Sequence, residues 1–280
     1  MFLRVYSDIH LDWFAERASS VGDSAFWYPP ELPDDKETIL ILAGDLWVGT
    51  KFIRWDKMSW ISKVAPRFKQ VLIVLGNHDY WPQGDLSILG AAEKCNDMFE
   101  KMGLDNVILL DMDTYTEGDY LFVGATLWTD MFKFDPLAMH NMSSFMRYDG
   151  KIAYDTGPNG EWSRFSSEKW VGTHIKHRDY IKHIASQNRD KKLIVITHHL
   201  PLMVMIDPHY AGSQDNAYYM SDLSDLILDN DNIKLWCCGH SHHTSDFYFE
   251  QCRMINNSVG YSSEHKEQEG LVSHAVIEVS

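Results

Sequence analysis

Five apolar runs in this chain each stop at a short cluster of aspartate, asparagine or histidine. Leu3–Tyr6 leads into Asp8-Ile9-His10, Ile39–Ala43 into Gly44-Asp45, and Val71–Leu75 into Gly76-Asn77-His78-Asp79. Leu193–Ile196 leads into Thr197-His198-His199, and Ile233–Cys238 into Gly239-His240-Ser241-His242. Runs this short and this rich in Val, Ile and Leu read as buried strands. Open α/β sheets place their sites just beyond the carboxyl ends of strands. The polar clusters stand where such a site would form.

Helical patterns lie between the runs. Residues 52–65 read as a helix ending at Pro66, and residues 86–102 as a second, with Gly103 as its C-cap. Residues 167–186 form a third, with Trp170, Val171, Ile175, Ile181, Ile184 and Ala185 inward. Ser221 is positioned to cap a short helix over 222–229. Val107–Leu110 and Tyr120–Thr126 read as strands, and Asp246–Ile255 and Leu271–Val279 alternate like strands. Residues 13–38 are polar and proline-containing, a long surface connection. Residues 131–165 are Met-rich and aromatic without a clean period, the best candidate for a lid or substrate wall. Strands alternating with helices early and late predict one α/β domain over residues 1–280, a layered sandwich with mixed sheets.

Composition narrows the function. The chain has 280 residues, is 45% hydrophobic and carries a net charge of −15, so it buries a core and lacks the basic footprint of a protein for extended nucleic acid. A small phosphate substrate is compatible with that charge, because bound metal ions supply their own local positive field. Cys95, Cys237, Cys238 and Cys252 show no CxxC spacing and read as reduced core thiols. Asp8 and His10 lie where a cleavable leader would sit, and no apolar run reaches the ~18 residues that cross a bilayer. The expectation is a cytoplasmic protein without a membrane partner; the sequence leaves its oligomeric state open.

The residue types fit a pair of metal ions. Asp8 and His10 are two apart, so on a strand both would project the same way and chelate one ion. Asp45 can share its oxygens between two ions, Asn77 offers a carbonyl oxygen, and His198, His240 and His242 offer imidazoles. Mixed oxygen and nitrogen ligation suits manganese, iron, zinc, nickel or cobalt better than magnesium or calcium. Two ions about 3.5–4 Å apart clamp a phosphate and generate a hydroxide nucleophile near neutral pH. His78, beside a ligand but not one itself, is placed to protonate the leaving oxygen or stabilise the transition state. Asp79 is expected to orient a neighbouring histidine. Of the adjacent pair, His198 is taken as the ligand because it comes first after the strand, with His199 behind it. His243 is set aside because an extended segment turns His240 and His242 to one side.

Several further residues carry two readings. Arg147 and Tyr148, in the lid segment, form either a surface salt bridge or a guanidinium–aromatic pair on a substrate phosphate and base. His209 and Tyr210 are candidates to line the pocket, and Trp81 and Trp128 to wall it. His174, His177 and His183 sit among Lys176, Arg178 and Lys182 and read as a solvated helix face.

The ordered set DxH, GD, GNHD, THH and GHSH resembles the calcineurin-like metallophosphoesterase family over residues 2 to about 260. Gly124–Asp130, Thr197–Pro201, His209–Gly212 and Asn257–Tyr261 look like a stand-alone bacterial and phage group within it. The resemblance implies a four-layer α/β/β/α sandwich with two mixed sheets. It implies Asp8, His10, Asp45 and His242 on one ion, Asp45, Asn77, His198 and His240 on the other, and His78 as the catalytic histidine. Manganese is the expected metal. Two departures matter. Protein phosphatases of the superfamily carry GDxxDRG and GNHE, whereas Asp45 here precedes Leu46-Trp47-Val48-Gly49 and the third motif ends in Asp79. The expected activity is therefore hydrolysis of a small nucleotide or cyclic-nucleotide phosphodiester. A phosphomonoesterase, a nuclease or a catalytically silent scaffold of the same fold are the alternatives.

Overall fold

The structure, a computed structural model, describes residues 1–13, 26–54, 59–82, 84–145, 151–157, 159, 161–261 and 276–278. Strands β1 (Phe2–Tyr6), β2 (Thr38–Ala43), β3 (Gln70–Val74) and β4 (Val107–Leu109) lie parallel in that order, with β13 (Val276–Glu278) antiparallel outside β1. The second sheet runs β11 (Ser245–Phe249), β12 (Cys252–Asn256), β10 (Ile233–Cys238), β9 (Lys192–Thr197), β6 (Tyr120–Ala125), β5 (Asp113–Glu117). Its four inner strands are parallel and its two edge strands antiparallel, and β7 (Ala153–Thr156) and β8 (Trp162–Arg164) pair antiparallel as a separate ribbon. Both sheets are mixed, as expected from the sequence.

Side-chain alternation builds the layers. Leu3, Val5, Ile39, Ile41, Leu72 and Val74 face Phe122, Ile194, Ile196, Leu235, Cys237 and Ile255, closing a core between the sheets. On the outer face of the first sheet, Tyr6, Leu40, Leu42 and Ile73 meet Ile61, Val64, Cys95 and Phe99 from helices Trp60–Val64 and Ala91–Lys101. On the outer face of the second, Val123, Val195, Trp236 and Cys238 meet Ile181 and Ala185 of helix Ser167–Gln187. The result is the α/β/β/α sandwich. All four cysteines are unpaired and buried. No helix among the described residues is long and apolar enough to cross a membrane.

Several boundaries differ from the sequence reading. The helix over 52–65 is two pieces, Lys51–Arg54 and Trp60–Val64, the second capped by Ser59, whose side chain accepts from Ser62 N–H. The helix placed over 86–102 starts only at Ala91, because Gly90 is left-handed (φ +81). Strand β5 went unread: its sequence, Asp-Thr-Tyr-Thr-Glu, is polar because it is a sheet edge. Ser221 does not cap Ser224–Leu228; its hydroxyl instead accepts the Asp130 N–H at 2.8 Å.

The described residues of segment 131–165 pack on the body. Met131, Ala138, Met142, Ile152 and Phe165 are buried in the outer core of the first sheet. Its entry is an unusual backbone: Leu127, Trp128, Met131, Phe132, Lys133 and Phe134 all have φ between 53° and 75°. Left-handed residues with a Cβ cost about 1–2 kcal/mol each, so such a run persists only where its surroundings over-determine it. Helix Ser167–Gln187 supplies that restraint. His177 Nδ1 accepts the Leu127 N–H at 3.1 Å, His174 Nδ1–H donates to the Leu127 carbonyl at 3.1 Å, and Trp170 Nε1–H donates to Thr129 Oγ1 at 3.0 Å. His174 and His177 are thus buried clamps rather than a solvated face, while His183 is exposed.

Candidate metal centre and active site

The five motifs meet at one end of the sandwich, past the carboxyl ends of β1, β2, β3, β9 and β10. The expectation that strand alternation aims the ligands is corrected here. Asp8, His10, Asp45, His240 and His242 all lie beyond their strands with φ of 53°, 48°, 55°, 70° and 52°. Left-handed bends, which Asp and His tolerate better than most residues, turn their side chains inward. The loops are laced together: Asp8 N–H donates to Gly44 O at 2.9 Å, His10 N–H to Asp45 O at 3.0 Å, and Gly239 N–H to His198 O at 3.0 Å. Two glycines make the convergence possible. A Cβ on Gly44 (φ +90) would press on the His198 ring, and one on Gly76 would strike the Asp45 carboxylate.

Among the described residues three groups of ligand atoms form, each with its members within 4.8 Å: Asp8, His10 and His242; Asp45, His198 and His240; and His10, Asp45 and His78. Asp45 Oδ2 faces His198 Nε2 at 3.4 Å and His10 Nε2 at 3.9 Å, so one carboxylate stands between the two outer groups. His10 Nε2 and His242 Nε2 are 3.1 Å apart, His242 Nε2 is 3.4 Å from Asp8 Oδ1, and Asn77 Oδ1 is 3.1 Å from His198 Nε2.

The electrostatics suit cations. Burial pushes His10 and His240 down to about 3, leaving neutral imidazoles with lone pairs to offer. Burial opposes the charge on Asp45, but His198, His78 and His10 hold its carboxyl well below its ordinary range. Burial likewise works against a charged His198, yet Asp45 lifts it to about 9. The same pull would hold a divalent ion between them. His198 Nδ1–H donates to Ala43 O at 2.9 Å, fixing the ring and aiming Nε2 at Asp45 and Asn77. The donor set fits two transition-metal ions.

The residues expected to surround the ligands divide. His198, not His199, stands in the cluster; His199 Nδ1–H donates to Thr126 O at 3.2 Å and its ring packs against Trp128, Trp170 and His240. His78 donates its N–H to Asp45 Oδ1 at 2.9 Å while its ring stacks on Trp81 at 3.6 Å and meets His10 edge-on at 4.6 Å. Asp79 was expected to orient a histidine. Its carboxylate instead accepts four main-chain N–H groups: Asp45 and Gly76 on Oδ2 at 3.0 and 2.7 Å, and Leu46 and Trp47 on Oδ1, each at 3.0 Å. Trp128 is fully buried behind His199, whereas the Trp81 ring lies against His78 at the edge of the site. His209 and Tyr210 are exposed, outside the cluster, next to Asp207, which faces His243 Nδ1 at 3.8 Å. Arg147 and Tyr148 lie outside the described residues.

Sequence reasoning missed the late contributors. Ser258 Oγ–H donates to Asp8 Oδ2 at 2.6 Å, and Tyr261 stacks on His10 with centroids 4.5 Å apart. The only sequence signal was the motif Asn257–Tyr261, which carried no assigned role.

Comparison with known proteins agrees with this geometry. A family model described as calcineurin-like phosphoesterase matches residues 3–244. The chain is 28% identical over 271 residues to the uncharacterized protein L509 of Acanthamoeba polyphaga mimivirus, covering 94% of this chain and 92% of that one. Among solved structures, the phosphopantetheinyl hydrolase PptH from Mycobacterium tuberculosis superposes with a TM-score of 0.67 at 17% identity, covering 98% of this chain and 95% of the other. That likeness is one of fold.

Proposed function

The chain belongs to the calcineurin-like phosphoesterase family, and we propose that within it this protein is a phosphodiesterase acting on a small nucleotide or cyclic nucleotide. The observation that carries the proposal is the placement of Asp45, whose Oδ2 faces His198 at 3.4 Å and His10 at 3.9 Å. Asp8, His10, Asp45 and His242 would hold one ion, and Asp45, Asn77, His198 and His240 the other. When bound, two divalent ions, manganese first among the candidates, neutralise charge on the phosphate oxygens and lower the pKa of a coordinated water.

The chain's own residues do the rest. Asp45 fixes the spacing of the centre, and its contact with the His78 N–H anchors that residue over the site. His78 faces the leaving oxygen. Burial lowers its pKa, which favours a neutral imidazole that stabilises the departing oxygen by a hydrogen bond over a resting imidazolium. Trp81, stacked on the ring, holds its orientation.

A diester is favoured by the absence of the GDxxDRG and GNHE patterns of the protein phosphatases, and a small substrate by the net charge of −15. The test is a phosphate-ester panel on the manganese-loaded protein, with cyclic and linear nucleotide diesters side by side. A phosphopantetheinyl ester belongs in the panel, since the Mycobacterium tuberculosis protein of the same fold is a phosphopantetheinyl hydrolase. Higher turnover of p-nitrophenyl phosphate than of bis(p-nitrophenyl) phosphate would instead identify a phosphomonoesterase.

A further inference from the structure

One flank of the metal cluster is a continuous row of rings. Trp81 stacks on His78 (3.6 Å, interplanar 26°), His78 meets His10 edge-on (4.6 Å, 64°), His10 stacks on Tyr261 (4.5 Å, 26°), and Tyr261 meets Trp13 (4.9 Å, 53°). Among the described residues the row begins and ends in indoles, and it passes through two imidazoles that share the Asp45 group. Its outer end does not belong to the core: Trp13 is 48% exposed, whereas Tyr6, Ile9 and Leu11 nearby are fully buried. An indole about half exposed beside a candidate metal cluster has area to gain from a planar partner.

We infer that Trp13 and Tyr261 form a stacking subsite for the planar base or aryl group of the substrate, reached from the candidate ligand His10 by way of the Tyr261 ring. The inference rests on the phosphodiesterase reading for the position of the phosphate. It goes beyond it in requiring a flat, π-bearing substituent on that phosphate and in placing it over Trp13. The row explains the geometry needed. His10 turns its Nε2 towards Asp45 and His242, which sets the plane of its ring, and Tyr261 carries that plane out to Trp13. A stacked base is read by its face rather than its edge, so the subsite is tolerant of base identity.

The test compares two ligands that share a phosphate and differ in the base. Isothermal titration of manganese-loaded protein with adenosine 5′-monophosphate and with ribose 5-phosphate should show the nucleotide binding roughly tenfold more tightly. Trp13→Leu keeps apolar bulk but removes the π-face, and should collapse the difference to within about twofold. Trp13→Phe should retain most of it, which separates stacking from a general effect on the fold. Equal affinity of the two ligands in the wild type, or a difference that Trp13→Leu leaves intact, overturns the subsite. Failure of the phosphodiesterase reading is seen separately: both ligands would be hydrolysed as monoesters during the titration, releasing inorganic phosphate.

Discussion

Asp79 carries Asp45. The Oδ2 of Asp79 accepts the Asp45 N–H at 3.0 Å and the Gly76 N–H at 2.7 Å, while its Oδ1 accepts Leu46 and Trp47 at 3.0 Å. One buried carboxylate thereby ties the loop after β2 to the loop after β3. Burial and the neighbouring Asp45 charge disfavour its ionised form, but four donors require an acceptor that has no proton of its own to give. Asp79→Asn places an NH₂ group against main-chain N–H donors and leaves two of them unsatisfied. The expected cost is about 1–3 kcal/mol for each buried donor left unpaired, with loss of tightly bound manganese. Thermal melting with metal analysis checks it. A variant that melts like wild type and holds both ions would show that the two loops need no such tie.

Asp45 itself should matter through both ions at once. Asp45→Asn keeps the shape but removes the charge that faces His198 and His10. Activity should fall by roughly two or more orders of magnitude, in line with the loss of a group stabilising both metals. Manganese stoichiometry, measured by elemental analysis after gel filtration, should drop below two. Retention of two equivalents with full activity would remove Asp45 from the bridging position.

His78 should behave differently. Its ring contacts Trp81 and His10 while its main chain binds Asp45, so a shortened side chain leaves those main-chain bonds in place. His78→Ala should lower kcat by roughly 10²–10⁴, the range for a lost acid–base group, with metal content near normal. A parallel loss of metal would assign His78 to the ligand set.

How much of this was legible in the chain follows from the physics of each part. The inner strands were readable because both faces are buried, which writes uninterrupted Val, Ile and Leu. The candidate ligands were readable because so few residue types serve a cation, and their placement after strands limited the choice. The left-handed backbone at Asp8, His10, Asp45, His240 and His242 was hidden, since Asp and His tolerate that φ but mostly lie at ordinary φ, so their presence after a strand does not reveal the bend. Ser258 was hidden for a different reason: it reaches Asp8 across 250 residues of sequence. The burial of His174 and His177 depends on the irregular turn they clamp, and a helix read alone shows only their charged neighbours Lys176 and Arg178.

That clamp gives a prediction in acid. His177 is buried against the Leu127 N–H and lies 3.5 Å from Asp111 Oδ1. Burial, then His174 and Lys176, push its pKa down to about 3, against about 6.5 in an unfolded chain. Between those values the unfolded state binds the extra proton and the folded state does not. Stability from this site is therefore complete above about pH 6.5 and is lost as the pH falls towards 3, by up to a few kcal/mol. His177→Asn keeps an acceptor for Leu127 while removing the titration. Its melting temperature at neutral pH should fall modestly, and its decline between pH 6.5 and 4 should be shallower than that of the wild type. The comparison is made between the two proteins because His10 and His240 are also held neutral by burial and add to the wild-type slope. Parallel profiles from melts at half-unit pH intervals would mean that His177 is protonated in the folded state, and that the left-handed turn beginning at Leu127 is held by another group.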